Sequence, residues 1–234
     1  MTLPSEKVQL EELSKQTAAN CDGRGIAIIA AGESASKLIM LWLQYFRAYQ
    51  STGTADCLID GTAAAVREAI ACITLGLVRS AINSLRLQID LSLAWLYFKD
   101  HPVEWRRVQD VGDGFKLKTE LLKYLGEFYP RFMTRFGLLR DCKARTLDDP
   151  FRLLSAHIHG QSELVLPRIQ NLQDIVAAPQ AQDEALQLQG ECSEYINDVF
   201  WSVFTDLWAN VPADLKTTLE GRFKSPAQRV DFFS

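Results

Sequence analysis

Histidine is scarce in this chain: three in 234 residues, His101, His157 and His159. That leaves few ways to build a catalytic base or a transition-metal site. The five cysteines, Cys21, Cys57, Cys72, Cys142 and Cys192, add little chemistry. No pair stands at CxxC spacing, and none joins a histidine at zinc-site spacing. Five reduced, mostly buried thiols in a reducing compartment are expected, because a free cysteine packs as a small hydrophobe. No GxxxxGK[ST] loop and no GxGxxG turn is present, which excludes the familiar glycine cradles for phosphate. HExxH, GxSxG and the EF-hand loop are missing too. No cofactor and no bound metal are expected.

Uncharged membrane-length runs are also lacking. The most apolar stretch, GIAIIAAGESASKLIMLWLQYF, carries Glu33 and Lys37 in its middle. A charge at the bilayer centre costs about 2.5–3.5 kcal/mol or more, so no membrane association is expected. The N-terminus, MTLPSEKVQLEELSK, has no apolar signal-peptide core. A soluble, cytoplasmic protein is expected. Strand-like alternation, repeats of 20–50 residues and low-complexity linkers are absent as well.

What is there is helical. Hydrophobic residues make up 47% of the chain, enough for a sizeable core and too much for disorder. The net charge of −4 rules out indiscriminate attraction to nucleic acid by the molecule as a whole. Without a linker, the expectation is one all-α domain over 1–234, bundle-like, with long central helices. A peripheral helix is expected within 1–22, starting near Pro4 and Ser5, then a break at CDGRG (21–25) and a helix from Ile26 to Tyr49. A loop is expected over 50–62. From Ala63 to Phe98 no proline occurs and only Gly76 interrupts, which predicts a single apolar rod of about 50 Å. Shorter helices are expected at 103–110, 114–126, 128–138 and 149–159, and a long one at 183–208. Residues 222–234 read as a flexible tail, or as one that docks through Phe232 and Phe233. The five tryptophans fall in helical apolar patterns and are expected in the core.

Two of the histidines share the stretch DDPFRLLSAHIHG, 148–160, with Arg152 upstream. His157 and His159 are two residues apart, so on a helix they point to nearly opposite faces and do not chelate one metal together. Arg152 and His159, seven residues apart, are nearly two turns apart and share a face. An arginine and a histidine facing one cleft suit phosphodiester cleavage. Histidine moves a proton near neutral pH. Arginine offers a fixed fork of donors to a phosphate whose charge grows in the transition state. No metal is needed where an RNA 2′-hydroxyl is the nucleophile. The candidate catalytic residues are therefore Arg152, His157 and His159.

The order LVRSAINSLRLQIDLSLAWLYFKDHPVEW, a basic helical stretch, then RLLSAHIHG resembles the HEPN superfamily over about residues 60–210. The family motif is an arginine, four to six residues, then a histidine; Arg152 satisfies it with His157 and with His159. The resemblance implies an all-helical, dimeric, metal-independent ribonuclease of bacterial antiviral defence, abortive-infection or toxin–antitoxin type. Two motif copies would meet at a homodimer interface through the 149–160 helix and bind RNA between them. Leu153 stands where the family often has a polar residue after the arginine. Asn83, Arg86 and Asp90 are candidates for the acidic or polar residue the family often carries on the preceding long helix.

Residues 116–152 hold nine Lys or Arg and five acids, a local charge of +4 in a chain of −4. Arg131, Arg135, Arg140, Lys143 and Arg145 are candidate RNA-binding residues, with Tyr129, Phe132 and Phe136 placed to stack bases. The other reading of the same stretch is a solvated face with its aromatics turned inward. Two further functions fit the pattern. One is a non-catalytic helical module that binds a partner protein of the same defence or toxin system. The other is a nucleotide or small-molecule sensor with Arg79, Asn83 and Arg86 around a pocket.

Overall fold

A computed structural model describes residues 4–161 and 169–234. The chain is all-α: the described residues contain eleven α-helices and no strand. Helices α1 (Glu6–Asn20) and α2 (Ile26–Tyr49) are followed by α3 (Cys57–Leu75), α4 (Val78–Phe98) and α5 (Pro102–Val111). Then come α6 (Lys118–Phe128), α7 (Phe132–Asp141), α8 (Pro150–Ile158), α9 (Pro179–Val203), α10 (Ala213–Glu220) and α11 (Pro226–Phe233). Single 3-10 turns occupy Leu172–Ile175 and Thr205–Asn210. Four helices, α5, α8, α9 and α11, open on a proline. At that position the locked φ is already helical and the missing N–H would have had no partner.

The structure corrects four expectations. The break at 21–25 is not a break: Cys21–Gly25 is one π-helical turn that joins α1 to α2. The loop after α2 is shorter than expected, because α3 starts at Cys57. The single rod over 63–98 is two helices, parted at Gly76. Gly76 has φ 81, its N–H donates to the Ile73 carbonyl (2.9 Å), and the Leu77 N–H donates to the Cys72 carbonyl (2.7 Å). Those two bonds and a left-handed glycine are the Schellman ending of a helix. The tail is not free: Pro226–Phe233 forms α11, and Phe232 is fully buried.

The chain divides into two compact units. The first comprises the described residues of 1–36, 64–87 and 149–192. Its core is built from small and aliphatic side chains, Ile28, Ile73, Ala81 and Ala185, with Cys72, Val78 and Leu186 packed against them. Arg24 ties this unit to the start of α9, donating to the Pro179 carbonyl (3.0 Å) and Gln182 Oε1 (3.2 Å) and pairing with Asp183. Helix α1 buries none of its residues.

The second unit comprises 37–63, 88–148 and 193–234. Its core is aromatic. The Phe46 ring lies 4.6 Å from Trp95, 4.8 Å from Phe200 and 4.6 Å from Phe204. The run from Glu6 to Tyr49 contains a window of mean hydropathy 1.6 and is, by length and composition alone, long and apolar enough to cross a membrane. Ile39, Trp42 and Phe46 near its end are fully buried in the fold. Of the five tryptophans expected in the core, Trp42, Trp95 and Trp201 are buried, while Trp105 and Trp208 are only half-buried. Of the cysteines, Cys142 and Cys192 are buried, Cys21 and Cys72 half-buried and Cys57 exposed; all five are free thiols. The expected burial therefore holds in full only for two of them.

Candidate functional site

Helix α8 is short and one-sided. Pro150 and Leu154 are buried, while Arg152 and Leu153 face outward. The helix ends as α3 does. The Gly160 N–H donates to the His157 carbonyl (3.4 Å), the Gln161 N–H to the Ala156 carbonyl (3.0 Å), and Gly160 has φ 59. This Schellman ending makes His159 the C-cap residue, with φ −86 and ψ 2. Its N–H still donates to the Ser155 carbonyl (3.0 Å), so its side chain keeps the helical phase of α8.

His159 is exposed, and its Nε2 lies 3.3 Å from Nη1 of Arg86 on α4. A guanidinium has no acceptor, so Nε2 accepts and the ring proton sits on Nδ1. The Arg86 guanidinium also lies 4.9 Å over the Phe151 ring, a cation–π contact with the first turn of α8. Arg86 and His159 are 73 residues apart in sequence and meet within the first unit.

The three residues of the candidate motif are not equivalent. Arg152 is exposed, and its side chain makes no hydrogen bond or ion pair among the described residues. Along α8 it is two turns from His159, about 10 Å at 1.5 Å per residue, and no hydrogen bond joins the two. His157 is half-buried, and that burial holds its pKa below the ordinary histidine value. The structure brings together Arg86, Phe151 and His159; it does not bring Arg152 to either histidine. Among the described residues, no group of three His, Cys, Asp or Glu side chains is placed to hold a metal ion.

Part of the basic segment behaves as scaffold. Arg145 and Arg135 are both 6% exposed. Arg145 pairs with buried Asp198, approaches Glu194 (3.6 Å) and donates from Nε to the Leu147 carbonyl (3.0 Å). Arg135 donates to the carbonyls of Phe232 (3.1 Å) and Pro130 (3.4 Å). Arg131 caps the end of α11 through Ser234 Oγ and the Asp231 carbonyl (3.0 Å). Lys143 pairs with Asp148 at 2.7 Å, while Arg140, 4.0 Å from Asp141, and Arg131 stay exposed. Burial takes Arg135 and Arg145 off any surface along which a strand would run. Phe132 is buried as well, and the Phe136 ring packs against Tyr195, 5.7 Å away.

One polar cluster was not anticipated. At the end of α4 the Tyr129 hydroxyl accepts from Lys99 Nζ (2.7 Å) and donates to Asp100 (2.9 Å), which also accepts from Tyr124 (3.0 Å). Beside it, His101 donates from Nδ1 to the Tyr97 carbonyl (2.7 Å) and stacks on the Tyr97 ring at 4.0 Å. That bond satisfies a last-turn carbonyl of α4; at the N-cap of α5, His101 makes no side-chain cap bond. The tyrosines stand 27 and more residues from Tyr97 in sequence, so no local spacing announces the cluster. Compared with family models, with curated proteins and with solved structures, the chain matches none.

Proposed function

We propose that this chain is a HEPN-like helical protein of bacterial antiviral defence or toxin–antitoxin type, acting in the cytoplasm as a metal-independent endoribonuclease. The observation that carries the reading is the exposed His159 imidazole held 3.3 Å from the Arg86 guanidinium. The exposed Arg152 on the same helix supports it. In the resting arrangement Arg86 occupies the basic nitrogen of His159. An RNA phosphate, a stronger acceptor than a neutral imidazole, draws the guanidinium to itself and frees Nε2. His159 then takes the 2′-hydroxyl proton as that oxygen attacks the adjacent phosphorus; the P–O5′ bond breaks and the 5′-oxygen takes a proton from water, leaving a 2′,3′-cyclic phosphate and a 5′-hydroxyl. Arg86 and Arg152 hold the phosphate as its charge grows. His157 is half-buried, and burial disfavours its charged form. Motif pairing places a second copy of the chain across α8, giving a homodimer.

The test is cleavage of single-stranded RNA in EDTA. The wild type is expected to cleave. His159→Ala is expected to lose about 10²–10⁴-fold, the range for a general acid–base. Arg86→Ala and Arg152→Ala are expected to lose at least about tenfold each. Equal activity in all four proteins, or none in the wild type, sinks the reading.

A second reading keeps the fold without the reaction: a helical module that binds a partner protein. It draws on Leu87 and Leu153, 40% and 37% exposed beside Arg86 and Arg152 in sequence. The C-terminal tail no longer contributes to it, since Phe232 is spent inside the second unit.

A further inference from the structure

The second unit contains a cavity of about 440 Å³ between the turn 53–57 and one face of α5. Pockets for small organic ligands fall at roughly 300–1,000 Å³. Pro102, Trp105, Arg106 and Gln109 line it, and they recur at i, i+3, i+4 and i+7. That spacing is a single helix face. The wall opposite is rigid. The Asp56 carboxylate accepts from the backbone N–H of Gly53 (2.8 Å) and of Thr52 (3.3 Å), and from Trp95 Nε1 of the aromatic core (3.4 Å). Ala55 is 3% exposed and held at φ 59, a conformation a non-glycine residue keeps only when its surroundings dictate it.

The chemistry of the lining is selective. Trp105 packs on Phe98 with ring centroids 5.2 Å apart, which steadies the indole in the cavity wall. Arg106 is exposed and has no hydrogen bond or ion pair among the described residues. Next to it, Gln109 adds an amide. The one acid present, Asp56, turns its oxygens to the turn and to Trp95. The cavity therefore presents a flat aromatic surface beside an unspent planar cation.

We propose that this cavity binds a planar aromatic anion, its ring against Trp105 and its charged group on Arg106. This site stands apart from the Arg86–His159 pair and holds whether or not the chain cleaves RNA. A nucleoside monophosphate and an aromatic carboxylate share the required chemistry, so the test includes both. Cys57, exposed at the cavity edge, is the reporter.

The experiment measures the alkylation rate of Cys57 by iodoacetamide, read on its own peptide by mass spectrometry. The full chain is used, alone and with millimolar AMP, indole-3-acetate or inorganic phosphate. AMP or indole-3-acetate is expected to slow alkylation about tenfold, with phosphate alone giving little protection. Protection by one ring-bearing anion alone identifies the source; protection by both supports the shared chemistry. Arg106→Ala and Trp105→Ala are expected to abolish protection while keeping the wild-type circular dichroism and unprotected rate. No slowing by either ring-bearing anion overturns the proposal, as does undiminished protection in Arg106→Ala. Phosphate protecting as well as AMP overturns the part given to the ring.

Discussion

His157 and His159 lie two residues apart on one short helix and have different environments. His159, at the C-cap, is exposed and meets Arg86. His157 is half-buried, and burial disfavours its imidazolium, holding its pKa below the ordinary value. The direction of that shift fixes its effect on stability. Above the ordinary histidine pKa the folded and unfolded chains both hold the ring neutral, and nothing is lost. As the pH falls through that value the unfolded chain takes the proton first, so stability drops. His157→Gln is therefore expected to flatten the fall in stability between about pH 7 and about pH 5. Urea midpoints of the two proteins across that range would check it; parallel curves would show that burial of His157 has no such consequence.

The elements owe their ends to a few residues. Proline opens α5, α8, α9 and α11, and a left-handed glycine closes α3, α5 and α8. The endings at Gly160 and Gly76 do different work. Gly160 stops α8 just past His159. Gly76 breaks what the hydrophobic pattern would continue as one rod, and its carbonyl then accepts from the Ala177 N–H (2.8 Å). A Cβ at position 76 would stand 2.5 Å from Asn20 Nδ2 and 2.8 Å from Val176 Cγ1. Gly53 has a similar φ of 76 but nothing within 4 Å. Gly53→Ala is expected to cost about 1–2 kcal/mol, the strain of a left-handed side chain. Gly76→Ala is expected to cost about 1–3 kcal/mol more, as crowding adds to strain. Thermal or urea unfolding of both variants would test the ordering, and an equal loss in the two would refute the part played by crowding.

At the scale of the molecule, the two units are stabilised differently. The first packs small and aliphatic residues; the second packs linked aromatic rings and buries charge. Asp198, fully buried, receives the guanidinium groups of both Arg145 and Arg222. Glu194 accepts from the backbone N–H of Ala144 (2.8 Å) and Arg145 (2.7 Å) and pairs with Arg222 at 3.2 Å. Arg222 also donates to the Leu139 carbonyl (2.9 Å) and Lys224 to the Asp141 carbonyl (2.9 Å). The group anchors the segments around 139–148 and 219–224 to α9. A buried pair adds little over a well-packed apolar substitute, but removing one partner strands the other. Asp198→Ala leaves two guanidinium groups short of a carboxylate and is expected to cost about 3–5 kcal/mol. A shift of less than about 1 kcal/mol in the denaturant midpoint would mean that water reaches the group and screens it.

Helical periodicity, proline and glycine placement and the missing strand patterns settled the all-α class and the approximate place of nearly every helix. These are local properties, carried by neighbours within a turn or two. The Arg152–His157–His159 stretch was visible for the same reason. Which arginine faces His159 was not, because Arg86 lies 73 residues away and is brought there by the packing of α4 and α8. The excess of positive charge over 116–152 could be counted in advance. Its role could not: burial and internal acceptors, which depend on distant segments such as α9 and α11, turned Arg135 and Arg145 into scaffold. Composition and period act along the chain, whereas pairing, burial and the cavity beside Trp105 arise between segments that meet only after folding.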